Sequence, residues 1–222
     1  MGPTATSTRQ DFTDLFSLYM TIGVVVAALV LGAIVFAVIV NRRRDGRAAR
    51  QIRALKPLEA IWVAAVAAIV VVLLVSTFRT ESRLDALPAN SSHTVEVTAF
   101  QWGWRFTYPG SGVAVTGNSQ RPPALVVPSG VPVRFELTSR DVIHAFWIPA
   151  LRFKRDAFPN RTLQFDLVFD PGVTTTGRCA EFCGLDHDRM GFQVVSMPPH
   201  GFDRWLRSHE RGRSAVVSGG PA

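Results

Sequence analysis

Four side chains with donor atoms suited to soft metal ions lie within twelve residues of one another: Cys179, Cys183, His187 and Met190. Thiolate, imidazole and thioether groups together suit copper better than calcium or magnesium. Zinc would accept the two cysteines and the histidine, but methionine is a poor zinc ligand. Because a single loop can bring such closely spaced side chains to one point, the spacing predicts a copper site.

A further candidate ligand, His144, lies upstream in an apolar stretch, residues 141–149. Taken alone, it could be a core histidine near the end of a strand. Beside the cysteine loop, it more readily completes a copper site, since blue-copper sites combine one early histidine with a late loop carrying Cys, His and Met. The second cysteine departs from that plan, and two thiolates can bridge two metal ions. A Cys179–Cys183 disulfide, which an exported domain permits, would leave His144 without a role.

Two long apolar runs precede these residues and contain no charged side chain, at 15–40 and 60–78. At about 1.5 Å per residue, each is long enough for a hydrocarbon core of about 30 Å. They predict transmembrane helices at residues 15–40 and 58–79. The first helix is predicted to be retained rather than cleaved, because its apolar core is too long for a signal peptide.

The segment between the two runs, residues 41–57, carries seven of the 24 Lys and Arg residues and one acid. The positive-inside rule places this basic loop in the cytoplasm. Residues 1–14 and everything after the second helix are then predicted on the outer face. Since the net charge of +7 is concentrated in this loop, it is a topology signal, and no nucleic-acid partner is predicted.

Residues 80–210 are predicted to form one external all-β domain. Three runs alternate apolar and polar residues, at 94–100, 131–137 and 163–169. Shorter strands are predicted at 113–116, 124–127, 142–147, 173–178 and 192–196, with Pro and Gly between them. This pattern indicates an antiparallel sandwich or barrel. A short helix is predicted at 201–208, and residues 211–222 are predicted to be a disordered tail.

The pattern Cys-x-Glu-x-Cys-x3-His-x2-Met, together with the upstream histidine and the apolar runs, resembles subunit II of the haem–copper cytochrome c oxidases over residues 14–208. The resemblance implies a two-helix transmembrane hairpin followed by a cupredoxin-like Greek-key sandwich or barrel. It also implies the dinuclear copper A (CuA) centre of that family, for which every ligand position is filled. The implied ligands are His144, Cys179, Glu181, Cys183, His187 and Met190.

The family resemblance assigns each ligand a role. Cys179 and Cys183 would bridge the two coppers, and each histidine would bind one of them. Met190 and the backbone carbonyl of Glu181 would be weak axial ligands. The carboxylate of Glu181 would bind a magnesium ion at the interface with subunit I.

Two more stretches match the family. Gln101-Trp102-Gly103-Trp104 resembles its Gln-Trp-x-Trp segment, which implies that Trp102 receives electrons from cytochrome c. The two tryptophans could instead be structural aromatics on one strand face. Glu59, in a Glu-x-Ile-Trp sequence, would lie at the mouth of a proton path into subunit I. It could equally be an acid that interacts favourably with a helix N-terminus.

The resemblance implies the electron-accepting subunit of a respiratory oxidase in the plasma membrane of a bacterium. Electrons would pass from cytochrome c through CuA to the haem of subunit I, where oxygen reduction is coupled to proton translocation. Subunit I, with its haem and CuB, subunit III and the lipid bilayer are the other implied partners. The family's best-known members present an acidic face to a basic cytochrome c, whereas residues 79–222 here carry sixteen Lys and Arg against thirteen acids. The donor could therefore be soluble or membrane-bound.

Alternative functions remain open. A CuA subunit of a nitric oxide reductase would share the site. A membrane-anchored copper chaperone of the thioredoxin type also carries Cys-x3-Cys and a distant His, but there the cysteines come early in an α/β domain and the His follows them. A quinol oxidase subunit II shares the scaffold but lacks the copper ligands, which are all present in this sequence.

Overall fold

The computed structural model describes residues 5–40, 42, 56–87 and 91–218, which form two compact units. One unit, Asp11–Glu81, is helical, and the other, from Ser82 onward, contains the β-strands. Most of the basic loop predicted at 41–57 lies outside the described residues, as do residues 219–222 of the predicted disordered tail.

The helical unit contains most of α1 (Ala5–Val40) and most of α2 (Lys56–Leu84), and both helices are long and apolar enough to cross a membrane. Their apolar side chains are exposed, and no described side chain of α2 is buried. Several of their hydroxyl groups are hydrogen-bonded within the unit, which suits an apolar surrounding. Tyr19 Oη lies 2.6 Å from Thr77 Oγ1. Hydroxyl groups also donate to the carbonyl four residues earlier at Ser17, Thr21, Ser76 and Thr77.

The described strands form two five-stranded sheets, in the orders β3-β2-β1-β5-β8 and β4-β10-β9-β6-β7. The chain crosses repeatedly from one sheet to the other, and side chains from both form one shared core. The strands are β1 (His93–Phe100), β2 (Gly103–Tyr108), β3 (Val113–Asn118), β4 (Ala124–Pro128), β5 (Pro132–Ser139), β6 (His144–Ile148), β7 (Phe153–Ala157), β8 (Leu163–Val168), β9 (Thr174–Cys179) and β10 (Gly191–Met197).

The predicted β-sandwich is present, but it is not wholly antiparallel. Strand β1 pairs with β5 in parallel, and β4 pairs with β10 in parallel. Each of these pairs joins strands that are distant along the chain. The alternation of apolar residues in one strand sets which face is buried, but it does not specify the direction of the neighbouring strand. The antiparallel prediction was therefore wrong for these two pairs.

Two strands were missed in the sequence. Strand β2 alternates buried aromatic side chains, Trp104, Phe106 and Tyr108, with more exposed positions. In the sequence, Trp104 was considered as a strand residue only as an alternative to its place in a motif, and no strand was predicted there. Strand β7 is an edge strand with the sequence Phe-Lys-Arg-Asp-Ala. Charged residues on an edge strand prevent pairing with other chains, and they also conceal the strand from a search for apolar alternation.

The core between the sheets is dominated by aromatic rings. Phe146 of β6 stacks on Phe192 of β10 with ring centroids 4.8 Å apart. Trp104 of the other sheet meets both rings edge-on, at 5.8 and 5.3 Å. Gly177 lies opposite Phe192 in the β9–β10 pair, and a Cβ atom there would lie only 2.0 Å from the Phe192 ring. The glycine thus lets β9 and β10 pair beneath a large ring.

Helix α3 (Pro199–Ser218) follows β10. It buries Phe202 and places Trp205 edge-on against Tyr108, with centroids 5.1 Å apart. The helix predicted at 201–208 is present, and it extends ten residues beyond the predicted end. The disordered tail at 211–222 stays a prediction.

Candidate metal centre

The predicted copper ligands meet at one end of the inner strands of the second sheet. His144 is the first residue of β6 and Cys179 is the last residue of β9, and these strands are antiparallel neighbours. Strands β9 and β10 are also antiparallel, so the loop that joins them, residues 180–190, lies at the same end of the sheet. We call this segment the copper loop. The sheet therefore places the early histidine beside the late loop.

In this cluster of predicted ligands, each cysteine faces the other cysteine and one histidine. The two sulfur atoms are 3.8 Å apart. Cys179 Sγ lies 3.8 Å from His144 Nδ1, and Cys183 Sγ lies 3.6 Å from His187 Nδ1. A weaker donor accompanies each thiol. The carbonyl oxygen of Glu181 lies 3.3 Å from Cys179 Sγ, and the Met190 sulfur lies 3.8 Å from Cys183 Sγ.

These separations suit metal ligation. Bonds of about 2.0 Å to imidazole and about 2.3 Å to thiolate allow one ion to join atoms up to about 4 Å apart. Two thiols, two imidazoles and a thioether are the donors that copper prefers, and the carbonyl adds one weak, harder donor. Each thiol has one imidazole beside it, which offers two similar positions, so these residues fit a dinuclear copper centre.

The two thiols differ in acidity, although both are almost fully buried. Burial alone would raise the pKa of Cys179, but hydrogen bonds from His144 and neighbouring backbone lower it to about 6. Burial, together with the negative charge of Cys179, raises the pKa of Cys183 to about 12. Metals bind thiolates, so a metal that takes both sulfur atoms must displace the proton of Cys183.

The ring of His144 is fully buried and held by Asp141. Its Nε2 atom lies 2.9 Å from Asp141 Oδ1. Because an ionised carboxylate can only accept hydrogen bonds, Nε2 carries the proton and Nδ1 presents its lone pair to the cysteine side. A carboxylate behind a ligating histidine is a recurrent feature of metal sites, where it fixes the ring orientation.

The copper loop is held by tryptophans from the first sheet. Trp102 Nε1 donates to the carbonyl of Cys183 at 3.1 Å, and Trp104 Nε1 donates to the carbonyl of Met190 at 3.4 Å. Gly184 has a φ of +118°, and a Cβ atom there would lie 3.1 Å from the Trp102 ring. Glycine therefore allows both the turn and the close approach of the indole.

Two predicted site residues lie apart from the sulfur cluster. The carboxylate of Glu181 has Lys154 as its neighbour, with Oε2 at 3.9 Å from Nζ, and both side chains are about half-exposed. Glu59 lies in the first turn of α2, in the helical unit, and is exposed. The structure therefore gathers the other predicted ligands and places Trp102 against them, while Glu59 belongs to another unit.

Sequence reasoning missed Asp141 and left Gln101 without a role. Gln101 Nε2 donates to the carbonyl of Cys183 at 2.7 Å. The only available signals were that Asp141 precedes His144 by three residues and that Gln101 opens the Gln-Trp-Gly-Trp motif. Neither spacing specifies a hydrogen bond between distant segments.

Comparison with known protein families gives two matches. The transmembrane domain of cytochrome c oxidase subunit II matches residues 1–80, and the periplasmic domain of the same subunit matches residues 118–197. The first match covers nearly all of the helical unit, and the second covers β4 to β10.

Individual relatives agree. A probable cytochrome c oxidase subunit 2 from Streptomyces avermitilis is 32% identical over 235 residues, covering 87% of this chain and 74% of that protein. A cytochrome c oxidase subunit 2 from a Bacillus species is 33% identical over 193 residues, covering 80% of this chain and 52% of its relative. The crystal structure of the periplasmic domain of subunit II of cytochrome oxidase from Bradyrhizobium japonicum superimposes with a TM-score of 0.51 at 27% identity, covering 57% of this chain and 99% of that one. The predicted fold class is confirmed.

Proposed function

Because this chain belongs to the family of cytochrome c oxidase subunit II, we propose that its copper centre is the dinuclear CuA centre and that cytochrome c is its electron donor. The chain is a membrane-anchored subunit of a haem–copper terminal oxidase, and electrons enter the complex through it. The observation that carries the CuA assignment is the paired geometry in which each thiol faces the other thiol and one imidazole.

The geometry supports the ligand roles that the family resemblance implies. Cys179 and Cys183 would hold both coppers, and His144 and His187 would each bind one of them. Met190 and the carbonyl of Glu181 lie beside opposite thiols, as two weak axial ligands would. The bound pair supplies one-electron redox chemistry, and the buried frame around it limits movement of the ligands when the charge changes.

We assign Trp102 as the residue that receives electrons. Its indole is partly exposed and its Nε1 donates to the backbone of Cys183, so one side chain connects the protein surface to a bridging ligand. Two segments bear ligands: the residues just before His144, and the copper loop. Among the described residues 91–210, the large apolar side chains that are exposed all lie on these two segments. They are Val142, Ile143, Phe182 and Leu185.

The donor is cytochrome c, soluble or membrane-bound, docking near Trp102. Two carboxylates close to this tryptophan already have partners within the chain. Asp141 accepts from the backbone of Gln101, and Asp186 accepts from Ser119 at 3.0 Å. With these acids engaged and apolar side chains beside them, docking depends on apolar contact more than on a single-sign charged patch. The rate of association is then only weakly dependent on salt.

Further partners belong to the same proposal. Subunit I, which carries the haem and CuB, receives the electrons, and subunit III completes the complex. The half-exposed carboxylate of Glu181 binds magnesium together with subunit I, and Lys154 is its partner within this chain. Glu59, at the start of α2, lies at the mouth of a proton path into subunit I.

The proposed location is the plasma membrane of a bacterium. Helices α1 and α2 cross the bilayer, and the basic segment between them faces the cytoplasm. The CuA domain and both termini then lie on the periplasmic side. A nitric oxide reductase subunit and a copper chaperone are not favoured, because the relatives described above are oxidase subunits.

Paramagnetic resonance of the oxidised, copper-loaded protein tests the proposal. One unpaired electron shared by two equivalent coppers gives hyperfine splitting from both nuclei. Metal analysis of the same sample should give two coppers for each chain. A spectrum from a single copper, or a site that retains only zinc, would contradict the CuA assignment.

A further inference from the structure

One residue of the β1–β2 hairpin contacts both ligand-bearing segments of the copper site. The backbone N–H of Gln101 donates to Asp141 Oδ2 at 2.7 Å, and its side-chain Nε2 donates to the carbonyl of Cys183, also at 2.7 Å. Asp141 lies three residues before His144, and Cys183 lies in the copper loop. Residues from two distant parts of the chain are thus joined through a third.

Asp141 is itself a point of convergence. Its carboxylate accepts from the backbone of Gln101, from the backbone of Val142 at 2.7 Å and from His144 Nε2 at 2.9 Å. These bonds join the imidazole of His144 and the backbone of the hairpin through one carboxylate, which holds both in a single network.

The hairpin is a firm support for this network. Gln101 and Trp102 form its two-residue turn, and Phe100 pairs with Gly103 directly beneath it. A Cβ atom at Gly103 would lie 2.2 Å from the carbonyl oxygen of Gly117, so β2 and β3 are in close contact there. The backbone N–H of Ser119 also donates to the carbonyl of Trp102 at 2.8 Å.

The support and the ligands belong to different sheets. The hairpin lies in the sheet that contains β1 and β2, whereas His144 and Cys179 lie in the sheet that contains β6 and β9. Hydrogen bonds between the hairpin and the ligand-bearing end of the other sheet orient individual groups, which the apolar core cannot do. Packing fixes the distance between the sheets, but directed bonds fix the orientation of one ring and one carbonyl.

We propose that Gln101 and Asp141 form a brace that sets the position of His144 relative to Cys183 and so holds the two halves of the copper centre in register. Both are positioning residues, since neither offers an atom to the metal in the proposed ligand set. The inference rests on the proposed function, because it concerns retention and geometry of the CuA centre. It adds two residues that the ligand pattern itself does not contain.

The test replaces the two donors and acceptors with near-isosteric groups in the intact oxidase complex. Gln101→Glu keeps the size of the side chain but exchanges the donor facing Cys183 for an acceptor. Asp141→Asn keeps one acceptor oxygen but cannot satisfy both Gln101 and His144. Two matched controls make the same chemical changes away from the network: Gln193→Glu on the exposed face of β10, and Asp203→Asn at an exposed position of helix α3.

The primary measurement is the rate at which copper is lost to a chelator of cuprous and cupric ions. Substitution of residues that support metal ligands costs about 10–100-fold in metal affinity, so we expect each brace variant to lose copper at least about tenfold faster than its control. The hyperfine splitting should also become unequal between the two coppers. Because both residues belong to one network, the double variant should be less severe than the product of the two single effects.

Outcomes that overturn the brace are distinct from those that overturn the proposed function. If the wild-type complex lacks a dinuclear signal, the CuA assignment fails. If the wild type has that signal and the brace variants match their controls in copper loss and splitting, the brace is wrong. Thermal unfolding of each variant in its copper-free form separates misfolding from loss of positioning. If a variant is unfolded at the assay temperature, the milder Gln101→Met takes its place. The same tenfold criterion for copper loss then applies.

Discussion

The copper loop and the aromatic core beneath it differ in what holds them. In the loop, Phe182 and Leu185 are 80% and 85% exposed, and the backbone is fixed by hydrogen bonds from Gln101, Trp102 and Trp104. In the core, large rings are fully buried and make many small dispersion contacts. The loop thus carries specificity through directed bonds, and the core carries stability through packing.

This difference has a physical reason. Ligand atoms must be oriented to within a fraction of an ångström, which hydrogen bonds and metal bonds achieve at particular atoms. Apolar packing is not directional, so it stabilises the sheets without specifying the rotation of a single side chain. If the two regions are separable in this way, substitutions in the loop should abolish function and leave folding intact, and core substitutions should have the opposite effect.

The largest effect is expected from Cys183→Ser. Serine is a hard, weakly acidic donor that does not bridge copper ions as a thiolate does, so the dinuclear signal and electron transfer from cytochrome c should both be lost completely. Circular dichroism of the variant should retain the β-sheet signal of the wild type. An unfolded variant would mean that the loop and the core are not separable.

The opposite effect is expected from Phe165→Ala. Phe165 is only 1% exposed, and it packs against Phe135 and Phe153, whose ring centroids are 5.3 and 4.7 Å from its own. Loss of this ring should lower the free energy of unfolding by about 3–5 kcal/mol. The hyperfine splitting of the copper-loaded variant, measured below its unfolding temperature, should equal that of the wild type. A changed splitting would show that the core also sets the ligand geometry.

The fold was largely predictable because its signals are local. Uniformly apolar runs mark α1 and α2, and alternation marks most strands, including β1, β5 and β8. What failed depends on distant partners. Parallel pairing of β1 with β5 and the charged edge strand β7 arise from neighbours that the local sequence does not specify.

The candidate site divides in the same way. The ligand types are dense enough in the copper loop to be found by spacing, and His144 was added because a copper site needs it. The resemblance to a known family supplied the ligand roles and Trp102. The hydrogen bonds of Gln101 to Asp141 and to Cys183 could not be predicted, because they join residues 40 and 82 positions apart.

A smaller effect is expected where a polar group ties the two sheets together. Tyr108 Oη donates to the carbonyl of Val126 at 3.0 Å and accepts from its N–H at 2.9 Å. Tyr108→Phe leaves both backbone groups of Val126 without this partner. The free energy of unfolding should fall by about 1–3 kcal/mol at neutral pH. Tyr19→Phe, the same change in the helical unit, is the control and should leave the unfolding of the β unit unchanged.

The same substitution has a pH dependence. Burial raises the pKa of Tyr108 far above its ordinary value of about 10, although the Val126 N–H bond opposes this. The neutral phenol therefore contributes stability that is fully present below pH 10 and is lost as the pH rises above it, because only the unfolded chain ionises readily. The difference in unfolding free energy between wild type and Tyr108→Phe should shrink from pH 9 to pH 11. A constant difference would contradict this assignment.

The smallest effect, and the most informative about the loop, is expected from Trp102→Phe. Phenylalanine keeps an aromatic ring beside Gly184 but cannot donate to the carbonyl of Cys183. Oxidation of cytochrome c should slow by about tenfold, equivalent to about 1.4 kcal/mol in the barrier, while the copper content stays that of the wild type. Trp205→Phe, on helix α3, is the control for loss of an indole and should not change the rate. Because Gln101 still donates to the same carbonyl, the loop should keep its shape, so a slower rate with an unchanged copper spectrum would assign Trp102 to electron transfer. An unchanged rate would instead make Trp102 a structural residue of the loop.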